Sequence, residues 1–195
     1  MQINKHFDSK AQRYSSERSK GLLGRKVKRE MDLVMNTLDV KKNEVILDAG
    51  CGSGDYCQLI KGRGGIPYGV DFSQKMIDVL LAKGFKGEVQ DLDNLILNKN
   101  FDKIVSSGAL EFVKSPIRTL RNLYNHLKFN GKVVLLIPST YPGGWLYKLY
   151  HLSHGICVRL FSKREIIKLM KRAGFNMISV KKVDNVNCYV VSGTK

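Results

Sequence analysis

Residues 45–54 read VILDAGCGSG. Three apolar residues and an acid lead into a run where Gly50, Gly52 and Gly54 carry no side chain. A buried strand followed by three glycines in five residues is more than a tight turn requires. Missing side chains let a ligand approach backbone N–H and C=O groups and tolerate unusual dihedrals. In an open α/β sheet, ligands bind beyond the carboxyl ends of the strands, and this loop leaves its strand at that edge. The stretch therefore reads as a ligand cradle. It is not a dinucleotide loop: counted from Gly50, the third glycine of GxGxxG falls on Asp55, whose charge opposes a pyrophosphate. No Gly-Lys-Ser/Thr follows, which excludes a P-loop.

Strand-like and helix-like segments alternate outward from the cradle. EVILD (44–48) precedes it, and a helix follows from about Asp55 to Lys61. IPYGVD (66–71) is a short apolar run ending on an acid. Ser73 caps a helix over 74–83 that stops at Gly84. FKGEVQD (85–91) and DKIVSS (102–107) read as strands, and Pro116 opens a helix to about Lys128. GKVVLLIP (131–138) is the most apolar strand. Ser162 and Glu165 form a capping box for KREIIKLMKRA, which ends at Gly174. FNMISVKKV (175–183) and NCYVVSG (187–193) close the chain. The first five strands with their helices predict a mostly parallel α/β sheet covered on both faces. The last two are separated only around Asp184 and Asn185, too short for a crossover, so they predict an antiparallel hairpin. A length of 195 residues suits one domain, with residues 1–37 as a separate, basic, largely helical lead-in.

Hydrophobic residues make up 43% of the chain, which fits a globular fold rather than disorder. Lys and Arg outnumber Asp and Glu by 33 to 17, a formal charge of +16. That balance suits a partner bearing phosphates, whether nucleic acid, a nucleotide or an anionic membrane surface. The basic residues are spread along the whole chain, which equally reads as solubility. Cys51, Cys57, Cys157 and Cys188 form no CxxC pair and no Cys/His metal spacing, so reduced thiols and no metal are expected. MQINKHFDSK lacks the apolar centre of a signal peptide, and VVLLI (133–137) is too short to span a bilayer. A cytoplasmic location is the expectation.

LDAGCGSG resembles the first motif of the class I S-adenosylmethionine-dependent methyltransferases. YGVDFS (68–73), QDLDNL (90–95), FDKIVSSGALEFV (101–113), LKFNGKVVLLIP (127–138) and SKREIIKLMKRAGF (162–175) resemble that family's later segments in order. The resemblance covers about residues 40–195. It implies a Rossmann-like seven-stranded sheet of order 3-2-1-4-5-7-6 with strand 7 antiparallel. It implies S-adenosylmethionine as cofactor, with S-adenosylhomocysteine as product. Asp48 and the backbone of Gly50 would hold the amino-acid end, within the loop of Cys51, Gly52 and Gly54. Asp71, 21 residues after Gly50, would accept both ribose hydroxyls, since a carboxylate is a paired acceptor for a diol. Asp91 and the backbone N–H of Leu92 would meet the adenine. Phe72, Met76, Ser107 and Gly108 complete the implied cofactor set. Met76 also reads as core, at helical spacing with Val79 and Leu80. Where many small-molecule members carry histidine after Leu-Glu, this chain has Phe112. Transfer from a sulfonium needs neither a metal nor a covalent enzyme intermediate; the protein positions the reactants and excludes water.

The acceptor and any general base are open on sequence. Candidates for the base are His6, Tyr14, Glu111, His126, Tyr141, His151 and His154. His126 reads as structural or solvated, and HFDSKAQRYSS (6–16) resembles a lead-in that closes over the cofactor and would bring Tyr14 to the site. STYPGGWLYKLYHLSHGICVRLF (139–161) follows the fifth strand as an insert, with Trp145, Leu149 and Leu152 on one helical face and Leu146 and Tyr150 beside them. It reads as a lid lining an apolar acceptor pocket, as a membrane-contacting segment near Lys148 and Arg159, or as core. The expected partner is a small apolar or amphipathic acceptor. An RNA or protein acceptor is the alternative, suggested by the charge but lacking the (D/N/S)PP(Y/F) tetrad of amino-methylating nucleic-acid enzymes, since the fourth strand ends SSGA. In RSKGLLGRKVKRE (18–30), Leu22, Leu23 and Val27, followed by Met31, read as the inward face of an amphipathic helix. A non-catalytic cofactor sensor is the third reading.

Overall fold

In the computed structural model, residue 8, residues 21–183 and residues 187–195 are described. The elements are α1 (Gly21–Leu38), β1 (Val45–Ala49), α2 (Asp55–Gly62), β2 (Ile66–Asp71), α3 (Gln74–Ala82), β3 (Lys86–Val89), a 3-10 turn (Leu92–Asn94), β4 (Phe101–Ser107), α4 (Pro116–Asn125), β5 (Leu127–Pro138), α5 (Pro142–Ser153), α6 (Lys163–Ala173), β6 (Asn176–Lys182) and β7 (Cys188–Thr194). They build a seven-stranded sheet in the order β3-β2-β1-β4-β5-β7-β6. β1 to β5 pair in parallel, and β7 runs antiparallel to both β5 and β6. The predicted sheet order and hairpin pairing are both present. The turn around Asp184 and Asn185 lies outside the described residues.

Side-chain alternation along the strands makes two cores. Leu47, Ile104, Val133, Leu135 and Ile137 face one side, against Leu120 and Leu123 of α4 and Ile166 and Met170 of α6. Ile46, Val105, Val134 and Leu136 face the other, against Val34, Met35 and Leu38 of α1 and Tyr56 and Ile60 of α2. A strand buried on both faces carries apolar residues without alternation, as VVLLI does. Residues 21–38 are thus not a separate lead-in. The α1 stripe of Val34, Met35 and Leu38 is buried at 0–1% exposure in the second core. Met31 and Val27 are half-buried, and the side chains of Leu22 and Leu23 lie outside the described set.

Two boundaries differ from the sequence reading. α4 ends at Asn125, and β5 begins four residues early, at Leu127. The chain turns at His126 because Leu127 already pairs with Phe101. An irregularity follows, at Asn130 with φ 60° and Gly131, before the regular register resumes at Lys103↔Lys132. The parallel pairing brings the carboxyl ends of β1 to β5 to one edge, and β1 lies where the strand order reverses. That edge is the place for a ligand.

Candidate active site

The cradle is folded over the end of β2. Gly50 and Cys51 donate their N–H groups to the carbonyl of Val70, at 2.8 and 2.9 Å. Gly50 has φ +80°, and a Cβ on it would lie 2.4 Å from the Cβ of Ala109. Only glycine permits both the dihedral and the approach of the loop after β4. Gly54 serves differently. It caps α2 in the left-handed conformation, and a Cβ there would meet Leu80 at 2.5 Å. It packs the helix and does not reach the cavity wall.

Asp71, at the end of β2, is buried at 6% exposure. Its Oδ2 accepts the N–H of Gly52 and its Oδ1 that of Ser73, each at 2.9 Å. Burial raises its pKa above the ordinary carboxylate value, and those backbone donors partly offset the rise. Ser73 also caps α3 through Met76 N–H and donates its hydroxyl to Asp8 at 2.5 Å. The lead-in thus touches the site at the one residue described there.

Asp71, Gly50, Cys51 and Gly52 form one wall of a cavity of about 560 Å³. That size lies within the roughly 300–1,000 Å³ typical of small-molecule sites. Phe72, Met76, Asp91, Leu92, Ser107 and Gly108 also line it. The Asp91 carboxylate accepts the N–H of Asp93 at 3.0 Å and the Asn94 amide at 3.3 Å, capping the 3-10 turn. Met76 is both core and wall, at 1% exposure. Ser106 fixes β4 to β1 by donating to the carbonyl of Ala49 at 2.7 Å.

Asp48 is an exception among the motif residues. Its side chain shares a sheet face with Ile46, so it turns under α2 instead of outward to the cavity. Its Oδ2 accepts the Cys57 thiol at 3.5 Å, and its Oδ1 is buried with no hydrogen-bond partner. Burial pushes its pKa up to about 7, and the neighbouring Asp71 adds to the rise. Burial likewise raises the thiols of Cys51 and Cys57, which leaves neither as a ready thiolate nucleophile.

The base candidates lie off the cavity wall or outside the described residues. His6 and Tyr14 lie outside the described residues. The ring of His126 is structural: its Nε2 accepts the N–H of Leu97 at 3.1 Å, and its Nδ1 is 2.7 Å from the carbonyl of Asn122. Those partners hold the ring in place between the loop before β4 and the end of α4. Tyr141 packs on Tyr189, with ring centroids 6.1 Å apart. His154 is exposed at the end of α5. Glu111 is buried behind Gly108, with the Tyr147 hydroxyl at 3.5 Å from its Oε1. His151 lies against Tyr147 and Phe112, and Phe112 does line the cavity.

The structure adds wall residues that sequence reasoning missed. Met31 arrives from α1, Tyr56 from α2, and Val113 and Lys114 from the loop before α4. Asp93 is buried and holds this side together. It accepts the N–H groups of Lys114 and Ser115 at 2.7 and 3.1 Å and the Thr119 hydroxyl at 3.0 Å. It caps α4 from a distance, because Ser115 itself makes no side-chain cap. The only sequence signal was a second acid two residues after Asp91.

The insert divides in two. Ile156, Val158 and Phe161 are core at 0–1% exposure. In α5, Gly144, Tyr147 and His151 face inward. Trp145, Leu146, Leu149, Tyr150 and Leu152 are 52–69% exposed. The apolar face therefore neither lines the cavity nor joins the core.

A profile of a methyltransferase domain matches residues 18–180. The chain belongs to this methyltransferase-domain family. The class I resemblance read from the motifs is borne out, and with it the sheet order. Among curated relatives, the chain is 32% identical over 82 residues to the 2-methyl-6-phytyl-1,4-hydroquinone methyltransferase of Arabidopsis thaliana, covering 42% of this chain and 23% of that one. It is 31% identical over 99 residues to the ubiquinone biosynthesis O-methyltransferase of Coxiella burnetii, covering 47% and 42%. The chain thus spans less than half the length of these two relatives. The magnesium protoporphyrin IX methyltransferase of Synechocystis PCC 6803, solved with bound SAH, shares the fold at TM-score 0.76 and 16% identity, over 99% and 98% of the two chains. Among the described residues of this methyltransferase-family chain, no helix is long and apolar enough to cross a membrane.

Proposed function

We propose that this chain transfers a methyl group from S-adenosylmethionine to a small apolar or amphipathic acceptor. One observation carries the cofactor half: a buried acid, Asp71, stands at the end of β2 beside a loop stripped of side chains, on one cavity of suitable size. That set fits an adenosine ligand. Asp71 accepts the ribose hydroxyls with lone pairs left after its two backbone bonds. Asp91 and Leu92 take the adenine edge, flanked by Phe72 and Met76. The loop from Gly50 to Gly52, with Ser107 and Gly108, presents backbone groups to the amino-acid end. Asp48 and Gly54 support that loop from behind. The sulfonium of S-adenosylmethionine supplies a methyl group already activated for displacement. The work left to the chain is to align an acceptor and keep water out.

The acceptor side of the cavity supports the apolar half of the reading. Met31, Tyr56, Phe112 and Val113 form it, and apolar walls with a few polar groups suit a small organic ligand. Two relatives are named for a hydroquinone acceptor and for ubiquinone biosynthesis, which agrees. The test uses S-adenosylmethionine labelled in its methyl group, offered with a prenylated hydroquinone, with total RNA and with total protein. The expected result is label in a solvent-extractable product. Label confined to the RNA or protein precipitate would contradict it.

A further inference from the structure

We infer that the active edge of the molecule docks on an anionic membrane surface, through the outward face of α5 and the basic first half of α1. Helix α5 is turned inside out for a covering helix. The residues it directs inward include Tyr147 and His151, while Trp145, Leu146, Leu149, Tyr150 and Leu152 stand 52–69% exposed. A contiguous exposed apolar face marks something the chain meets. The helix lies beside the cavity: His151, on its inward side, packs on the cavity residue Phe112 with ring centroids 5.8 Å apart, so the apolar face is the outer side of an element next to the cavity.

Charge selects the occupant. No acidic residue occurs between Glu111 and Glu165, a span that contains all of α5. Lys148 lies 5.4 Å from the Trp145 ring centre, and Lys182 lies 4.1 Å from that of Tyr141. The first half of α1 adds exposed Arg25, Lys26, Lys28 and Arg29. It lies at the same edge, because Met31 lines the cavity while the carbonyl of Asp39, just past the helix, accepts the Lys103 ammonium from the opposite end of β4. A second copy of a chain with charge +16 would be repelled from this face. An anionic lipid surface attracts each Lys or Arg near it and accepts Trp and Leu side chains at its interface. The mouth of the cavity would then open toward the phase that holds an apolar acceptor. That consequence rests on the proposed function; the docking face itself does not.

Trp145 is the only tryptophan in the chain, so its emission reports this face alone. The full chain is titrated with vesicles of phosphatidylcholine mixed with phosphatidylglycerol, with vesicles of phosphatidylcholine alone, and with poly(U). The expected result is a blue shift and cosedimentation with the mixed vesicles, weakened by salt and absent with phosphatidylcholine. Leu146→Glu combined with Leu149→Glu should weaken vesicle binding at least tenfold. The same variant should keep the wild-type thermal response to S-adenosylhomocysteine, which shows that the fold and cofactor site are intact. No emission change with anionic vesicles overturns the proposal. So does a shift with poly(U) alone, or a blue emission that grows with protein concentration without lipid, which would mean that nucleic acid or a second copy covers the face. If vesicles bind but S-adenosylhomocysteine does not, the cofactor reading fails and the docking face stands.

Discussion

At the scale of single residues, Asp48 shows how a motif position can serve a site without lining it. Adjacent residues of a strand point to opposite faces, so Asp48 turns under α2 to Cys57 while the loop beyond it reaches the cavity. The folded chain holds its proton up to about pH 7. An unfolded aspartate releases it near about pH 3.9. Between those values the folded state binds more protons, so this group makes stability fall as pH rises, and the loss is complete above about pH 7. The slope contributed is at most about 1.4 kcal/mol per pH unit. Asp48→Asn keeps an acceptor for the thiol and removes the titration. Urea unfolding across about pH 4 to 8 should show the wild type losing stability relative to the variant as pH rises. Parallel profiles for the two proteins would show that Asp48 is ionised throughout. Asp71, which the motif marks for the ribose, lines the cavity. The motif marked Asp48 and Gly54 in the same breath, and only the direction of each side chain separates supporting residues from lining ones.

At the scale of elements, helix starts differ in where their caps come from, and this decides what sequence can show. Ser162 caps α6 locally by accepting the N–H of Glu165 at 3.2 Å, which was legible as a capping box. The cap of α4 is Asp93, 22 residues before Ser115, and it became visible only when the loop after β3 was folded against the helix. Replacing a local cap with alanine costs about 1 kcal/mol, roughly 2–4 °C in Tm for a domain of this size. Asp93→Ala strips a charged acceptor from three donors at once and should cost about 2–4 kcal/mol, roughly 4–16 °C. Thermal unfolding of Ser162→Ala and Asp93→Ala side by side checks the order. A smaller effect at Asp93 would show that its donors find other partners. Helix α5 carried the opposite ambiguity. Its apolar residues fall on one face, and periodicity identified that face without saying whether it points inward. The neighbours of Tyr147 and His151 decide the question.

At the scale of the whole molecule, the sheet was legible because each strand but the third carries a strong local signal and the crossovers leave little choice of topology. The place of α1 was not. A basic amphipathic helix looks the same whether it caps the sheet or lies apart, and Val34, Met35 and Leu38 join the core only through contacts with strands far along the chain. The site inherits this division. Its glycine loop and acids were read from the loops that follow strands β1 to β3, whereas Met31 and Tyr56 reach the wall from α1 and α2, and Val113 and Lys114 from the far part of the loop after β4. The central claim is that Asp71 and the glycine loop bind S-adenosylmethionine. Thermal unfolding with S-adenosylmethionine, S-adenosylhomocysteine, NAD or no ligand tests it directly, for the wild type and for Asp71→Ala. A ligand at about 100 times its Kd adds about 2.7 kcal/mol. That is a rise of roughly 5–11 °C here. The account predicts this rise with the two sulfur ligands, none with NAD, and less than half of it in Asp71→Ala. No rise with either sulfur ligand at millimolar concentration, or an equal rise in the variant, would contradict it.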